Sequence, residues 1–381
     1  MRAPQLLTAA AFSTAVLFGV VRSFAADPAG DPLERPSADV GPAIDDPDAA
    51  ALEPDFRFVG EYRGYERPSG SVRSSRAVSL QVNSTGAGTF VGTRTLGGTP
   101  AERDASANVL ALEGRRSGSR VLLQRANRQA ADGSRIPVRL RYVLDGQDVT
   151  VVDRGGRPVG ELSRSARRSP TLGQTPPPGA IILFDGTGTQ RLVNGRITPD
   201  GLLQEGTETV DPWDDFRMHL EFRLPYKPMA RGQHRGNSGV YLQSRYELQV
   251  LDSFGWPAAF NDVGALYRTV RPDRNASLPP LEWQTYDIDF HAPEFAGSQK
   301  VRPARLTVWL NGVKIHDNRA IPRKTGAGKP EGPFPLPTKL QGHGNPVRFR
   351  NVWLLTDEAG GPFGVPDAPA IIPPVPISAV H

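Results

Sequence analysis

The clearest pattern along the chain is strict alternation of apolar and polar positions. From Met218 to Leu224 the apolar residues Met218, Leu220, Phe222 and Leu224 face a core, while His219, Glu221 and Arg223 share the opposite face of a strand. The same period puts Tyr241 and Gln243 together, opposite Val240 and Leu242. Over 246–252 it sets Glu247 and Gln249 on one face, about 6.6 Å apart along the strand. Residues 305–315 read as a hairpin folded at Asn311-Gly312. Shorter runs at 77–82, 88–91, 121–123 and 138–143 are separated by Gly, Asn and Asp turns, with Asp145-Gly146 between two strands. Alternating strands joined by hairpins predict an all-β protein built from antiparallel sheets.

The pattern breaks at several seams. Residues 1–25 carry Arg2, an apolar run over 6–21 and the small-residue pair Ser23 and Ala25, which predicts an export signal cleaved after Ala25 and a periplasmic or secreted protein. That run is shorter than the ~20 residues needed to span a bilayer, and no later stretch is apolar enough, so no membrane span is expected after cleavage. Residues 26–54, rich in Ala, Pro, Asp and Gly, read as a disordered linker. Residues 55–165 form a small β-domain without His and without grouped catalytic side chains, expected to be dispensable for chemistry. Residues 166–178, with Thr175-Pro176-Pro177-Pro178, read as a Pro-rich spacer. A second β-domain covers 179–360 and holds five of the six His and all five Trp; the tail 361–381 is Pro- and Ala-rich and expected to be disordered.

Composition narrows the chemistry. With 40 Gly and 37 Pro in 381 residues a helical bundle is disfavoured. The absence of Cys excludes disulfides, thiolate nucleophiles, Cys-bound zinc and iron–sulfur ligation. The net charge of +5 comes from scattered Arg, which gives no nucleic-acid footprint.

Four blocks carry a resemblance: RGNSGVYLQSRYELQVLDS at 235–253, DVGALYR at 262–268, WQTYDIDFHAP at 283–293 and LQGHGNPVRFRNVWL at 340–354, with FDG at 184–186 and EFR at 221–223 in the opening strands. Together they resemble the 3-keto-disaccharide hydrolase family over about 180 residues, most closely its exported members with an extra N-terminal β-domain. Val263 stands where Cys or Thr is expected in that family. The resemblance implies a concanavalin-like jelly-roll sandwich acting on sugars whose C3 hydroxyl has become a ketone.

Such a ketone acidifies the C2 proton, so a base can remove it, the C1 glycosidic oxygen leaves by β-elimination, and water adds to the enone. The site needs a base, an acid and a holder for the enolate oxygen, not the paired carboxylates of an ordinary glycosidase. Glu247, His343 and Asp252 are the candidate catalytic residues. Arg223, Glu221, Asn237, Tyr241, Gln249, Tyr267 and Gln341 are the candidate substrate contacts, with Ser238 and His234 as weaker ones. Each has a structural rival: an ion pair with Arg223 or Arg245 for Glu247, a turn cap for Asp252, loop geometry for His343. No metal motif such as HExxH is present; a divalent cation polarising the ketone is the one cofactor these residue types admit. The expected partners are a 3-keto carbohydrate and an oxidoreductase that makes it. The competing class is a lectin-like carbohydrate-binding sandwich, with Trp213, Trp256 and Tyr267 as platforms.

Overall fold

The computed structural model describes residues 41–67, 75–99, 101, 109–126 and 140–356; the expected signal segment, residues 26–40 and the tail lie outside the described residues. Among them, eight strands close into an antiparallel barrel: β1 (Gly60–Glu66), β2 (Arg76–Gly86), β3 (Thr89–Leu96), β4 (Val109–Ser117), β5 (Arg120–Arg125), β6 (Arg141–Asp145), β7 (Asp148–Val152) and β8 (Pro158–Ser165). Each pairs with the next, and β8 returns to β1, so no edge is left open. Alternation fills the interior with Tyr62, Leu80, Val82, Leu123, Leu144 and Val151.

The second domain continues with β9 (Ile181–Phe184), β10 (Leu192–Val193), β11 (Leu203–Gln204), β12 (Thr207–Pro212), β13 (Phe216–Arg223), β14 (Ser238–Leu242), β15 (Tyr246–Val250) and β16 (Trp283–His291). After a small ribbon of β17 (Glu294–Ala296) and β18 (Gln299–Arg302) come β19 (Ala304–Leu310), β20 (Val313–Ile321), β21 (Pro337–Leu340) and β22 (Arg348–Thr356). One sheet runs β10-β12-β21-β14-β15; the other runs β11-β22-β13-β16-β19-β20, with β9 also on β22. Leu220, Phe222, Tyr286, Ile288 and Val308 of the larger sheet pack on Val240, Leu242, Leu248 and Val250 of the smaller, which makes a jelly-roll sandwich. The β19–β20 hairpin turns at Asn311 and Gly312, both at positive φ (54° and 76°), as the primed turns of two-residue hairpins require.

Two segments expected to be loose connectors are built into the structure. Within 41–54, Asp46 caps the helix α1 (Pro47–Ala51), and Ile44 exchanges both backbone hydrogen bonds with Tyr226. Ala50 joins Val59, Tyr226, Phe254 and Leu281 in a small core between the domains. The segment has too few apolar residues to fold alone, but these few find partners distant in sequence. The Pro-rich seam is likewise clamped. Arg167 pairs with Glu61 (2.8 Å) and donates to the Ser277 carbonyl (2.8 Å), and Thr171 donates to Asp287 (2.7 Å). The Gly173 N–H donates to Glu221 (2.5 Å), and Asn351 donates to the Gln174 carbonyl (2.9 Å).

Candidate active site

β14 and β15 are neighbours in the smaller sheet, with Tyr241 opposite Glu247 and Gly239 opposite Gln249. Since Val240, Leu242, Leu248 and Val250 take the core side, Tyr241, Glu247 and Gln249 point to the outer face. An outer face is normally wet, yet these three are only 4%, 3% and 0% exposed. Loops cover them. Residues 264–267 run along β15, with Gly264 and Tyr267 N–H groups donating to the Gln249 and Glu247 carbonyls (2.9 and 3.1 Å). The Glu247 N–H donates to Thr325 Oγ1 (2.7 Å), which brings the loop after β20 over the carboxyl. There a methyl on Gly326 would lie 3.2 Å from the Tyr267 ring and 3.5 Å from Glu247 Oε2.

Gly239 leaves room for the site. A methyl at that position would stand 2.9 Å from Glu247 Oε1 and 3.2 Å from Gln341 Oε1, so both side chains occupy the space above its Cα. Gln341 is held in line with β21 by its N–H to the Gly239 carbonyl (2.8 Å), and the Ser238 hydroxyl donates to the Gln341 carbonyl (2.7 Å). Gln341 Oε1 is buried with no partner. An unpartnered acceptor beside a carboxyl is where a ligand donor fits.

Among the described residues no cation pairs with Glu247. Arg245 bonds Gln243 (2.7 Å) and the Pro330 and Phe334 carbonyls instead, and Arg223 lies on the other sheet, so neither ion pair weighed from sequence forms. Burial pushes the Glu247 carboxyl up to about 7, although the Tyr241 hydroxyl, donating to Oε2 at 2.7 Å, pulls the other way. Burial and the adjacent Glu247 charge raise the Tyr241 phenol, which therefore stays a donor. The Gln249 amide completes the set. With its nitrogen on Gln233 Oε1 (2.7 Å), its oxygen faces Glu247 Oε1 and accepts a proton from the acid form. Turned over, its nitrogen donates to Glu247 Oε1 (3.1 Å) and the Ser238 carbonyl (3.0 Å), which serves the carboxylate. The Asn237 amide nitrogen donates to the Gln233 carbonyl (2.8 Å), and its oxygen faces Gln249 (3.3 Å).

Of the candidates named from sequence, Glu247, Tyr241, Gln249, Gln341, Tyr267 and Asn237 come together, and others do not. Gln243 falls in the turn after β14 at positive φ and bonds the Trp213 carbonyl (2.9 Å), not the Tyr241 face. Glu221 and Arg223 project from the outer face of the larger sheet. Glu221 is tied to Gly173, Asn351 (3.1 Å) and Arg350 (2.7 Å) and held down to about 2 against its own burial by these bonds and His219. Arg223 reaches the Asp45 carbonyl (3.1 Å) and the Trp283 ring. Asp252 is buried in an ion pair with Arg235 (2.7 Å), and its other oxygen accepts from Asn83 of the barrel (3.2 Å), so neither oxygen is open to a substrate.

His343 is exposed two residues beyond Gln341, and its N–H donates to Glu205 Oε2 (3.0 Å) rather than to anything around Glu247. Its flanking glycines serve the backbone: Gly342 passes against Gly206, and Gly344 has φ +69°. His234 is exposed at the end of a 3₁₀ turn. Sequence reasoning missed Gln233, Glu205 and the 322–332 loop. Gln233 sits just before the RGNSG block, while the loop carries Gly, Lys and Pro without any chemical signature. Among the described residues no three His, Asp or Glu side chains converge as a metal-ligand set. Glu247 stands as a lone carboxylate among amides and phenols, few anionic donors for a hard cation.

The profile of the 3-keto-alpha-glucoside-1,2-lyase-like domain matches residues 179–355, which include every residue of this cluster. The domain at residues 179–355 belongs to this family. Three solved structures of Parabacteroides distasonis ATCC 8503, each named as a candidate glycosyl hydrolase, are similar to it. One is 32% identical over 48% of this chain and 85% of its own, with a TM-score of 0.44. Another is 22% identical over 46% of this chain and 98% of its own, with a TM-score of 0.34. No curated protein matches the chain. Membership of the 3-keto-alpha-glucoside-1,2-lyase-like family places the domain among carbohydrate-active enzymes; the barrel lies outside the matched residues.

Proposed function

We propose that this domain cleaves 3-keto glycosides or 3-keto disaccharides, with Glu247 as the base that removes the C2 proton. The observation that carries the reading is a buried carboxyl with no cationic partner among the described residues, pushed up to about 7 by burial, beside an unpartnered amide acceptor. A base works best when its pKa lies near the working pH. The electron pair of the broken C2–H bond forms the C2–C3 double bond, and the C3 oxygen takes the negative charge. When that carbonyl re-forms, the C1–O bond breaks and the leaving oxygen takes a proton; water then adds at C1 and a proton at C2. The Gln341 amide, beside Glu247 above Gly239, is the donor proposed for the enolate oxygen. His343, on the loop continuing from Gln341, is the candidate acid for the leaving oxygen. Asp252 has no part in this scheme. A C3-oxidising sugar dehydrogenase or oxidase must supply the substrate, and export by residues 1–25 would put the reaction in the periplasm or outside the cell.

The test is cleavage of a 3-keto disaccharide and of its non-oxidised parent in heavy water. Only the keto sugar should be cleaved, with deuterium appearing at C2 of the released 3-keto sugar, and Glu247→Gln should slow turnover by roughly 10²-fold or more. Cleavage without deuterium at C2 would sink elimination. Tight binding without turnover would favour the lectin-like reading.

A further inference from the structure

The barrel supplies none of the side chains gathered around Glu247, yet it reaches the site through one buried side chain. Asn83, on β2, is fully buried where β2 meets the sandwich. Its amide nitrogen donates to Asp252 Oδ1 (3.2 Å) and the Phe254 carbonyl (3.0 Å), and its oxygen accepts from Arg235 Nη2 (2.8 Å). Arg235, 1% exposed, also donates to Asp252 Oδ2 and to the Lys227 and Pro228 carbonyls (3.2 Å each). At the residue just before the 232–234 turn the barrel acts again, with the Thr85 carbonyl accepting from Arg231. The segment 227–237 is therefore fixed by barrel atoms on both sides of Gln233. Gln233 in turn carries the Gln249 amide that faces Glu247, and its own nitrogen donates to the Asn261 carbonyl (2.8 Å).

We infer that the N-terminal barrel is a positioning unit for the active site, with Asn83 as the residue through which it holds segment 227–237 against the Glu247 pocket. This rests on Glu247 being the reacting carboxyl, and it departs from the sequence expectation that the barrel is dispensable. The physical reason is that the Arg235–Asp252 pair is desolvated, so removing Asn83 leaves buried donors and acceptors that only water can satisfy. Water entering at Arg235 loosens Gln233, uncouples Gln249 and re-solvates Glu247.

The experiment uses the full chain with Asn83→Ala, with Arg231→Met, which cuts the second barrel contact, and with Thr93→Val as control. Thr93 also bridges the domains, donating to the Gly255 carbonyl (2.6 Å), but it does not touch segment 227–237. Two readouts are taken: the acid limb of kcat/KM on a 3-keto disaccharide, and the Glu247 ionisation midpoint by infrared difference against Glu247→Gln, which needs no substrate. Asn83→Ala and Arg231→Met should each move the midpoint down by about one pH unit and lower kcat about tenfold, with Thr93→Val unshifted. If Asn83→Ala does not fold, Arg231→Met decides the matter. Folded variants with an unmoved midpoint, or an equal shift in Thr93→Val, overturn the inference. Absence of turnover on every keto sugar, with the infrared shift intact, overturns the proposed reaction and leaves the positioning role standing.

Discussion

Tyr241→Phe separates the Glu247 reading from simple loss of a polar residue. The substitution keeps the ring but removes one hydroxyl, and with that hydroxyl a side-chain bond that lowers the Glu247 pKa, while burial persists. A hydrogen bond to a charged group contributes about 1.5–3 kcal/mol, equivalent to about 1–2 pH units. The Glu247 midpoint should therefore rise from about 7 to about 8–9. For a base that must be ionised, the active fraction at pH 7 falls from about one half to between about 1% and 10%, so kcat/KM there drops about 5- to 50-fold. At high pH the carboxylate is fully formed and most of the rate returns. The assay is a pH profile of kcat/KM from pH 5 to 10 for both proteins on one 3-keto disaccharide. A uniform loss at every pH with the limb unmoved, or a limb displaced to lower pH, would falsify the assignment of Glu247 as a buried base tuned by Tyr241.

Two stability measurements follow from the same electrostatics. Because the folded-state pKa of Glu247 lies above its ordinary value of 4.5, the native state holds this proton longer than the unfolded chain, and stability falls as pH rises from about 4.5 to about 7. Glu247→Gln should remove that penalty, stabilising the protein by up to about 3 kcal/mol at pH 8 and hardly at pH 4 in denaturant titrations; equal stability at both pH values would contradict it. Glu221 is the opposite case, since its pKa is held near 2, so its contribution is full above about pH 4.5 and lost as pH falls toward 2. Glu221→Gln should cost about 3 kcal/mol at pH 7 and expose the 166–178 seam to proteases without moving the kcat/KM profile; a displaced acid limb would put Glu221 back in the site.

The longer strands were legible in the sequence, because period-2 alternation names the buried face with no tertiary information. Met218 to Leu224, Glu247 with Gln249, and the Asn311-Gly312 turn all follow from local pattern. It could not determine which polar faces meet. Glu221 and Glu247 carry the same alternation signature, yet one lies under the Pro-rich seam on the larger sheet and the other in a covered pocket on the smaller. Strand pairing decides that, and pairing between β14 and β21 joins residues about a hundred positions apart. Burial is likewise tertiary. Residues 264–267 and the loop at Thr325 desolvate Glu247 and so bring its proton near neutral pH, while Arg235 and Asn83 take Asp252 out of reach. A carboxylate's chemistry depends on the water and charge around it, and those are supplied by segments that share no sequence neighbourhood with it.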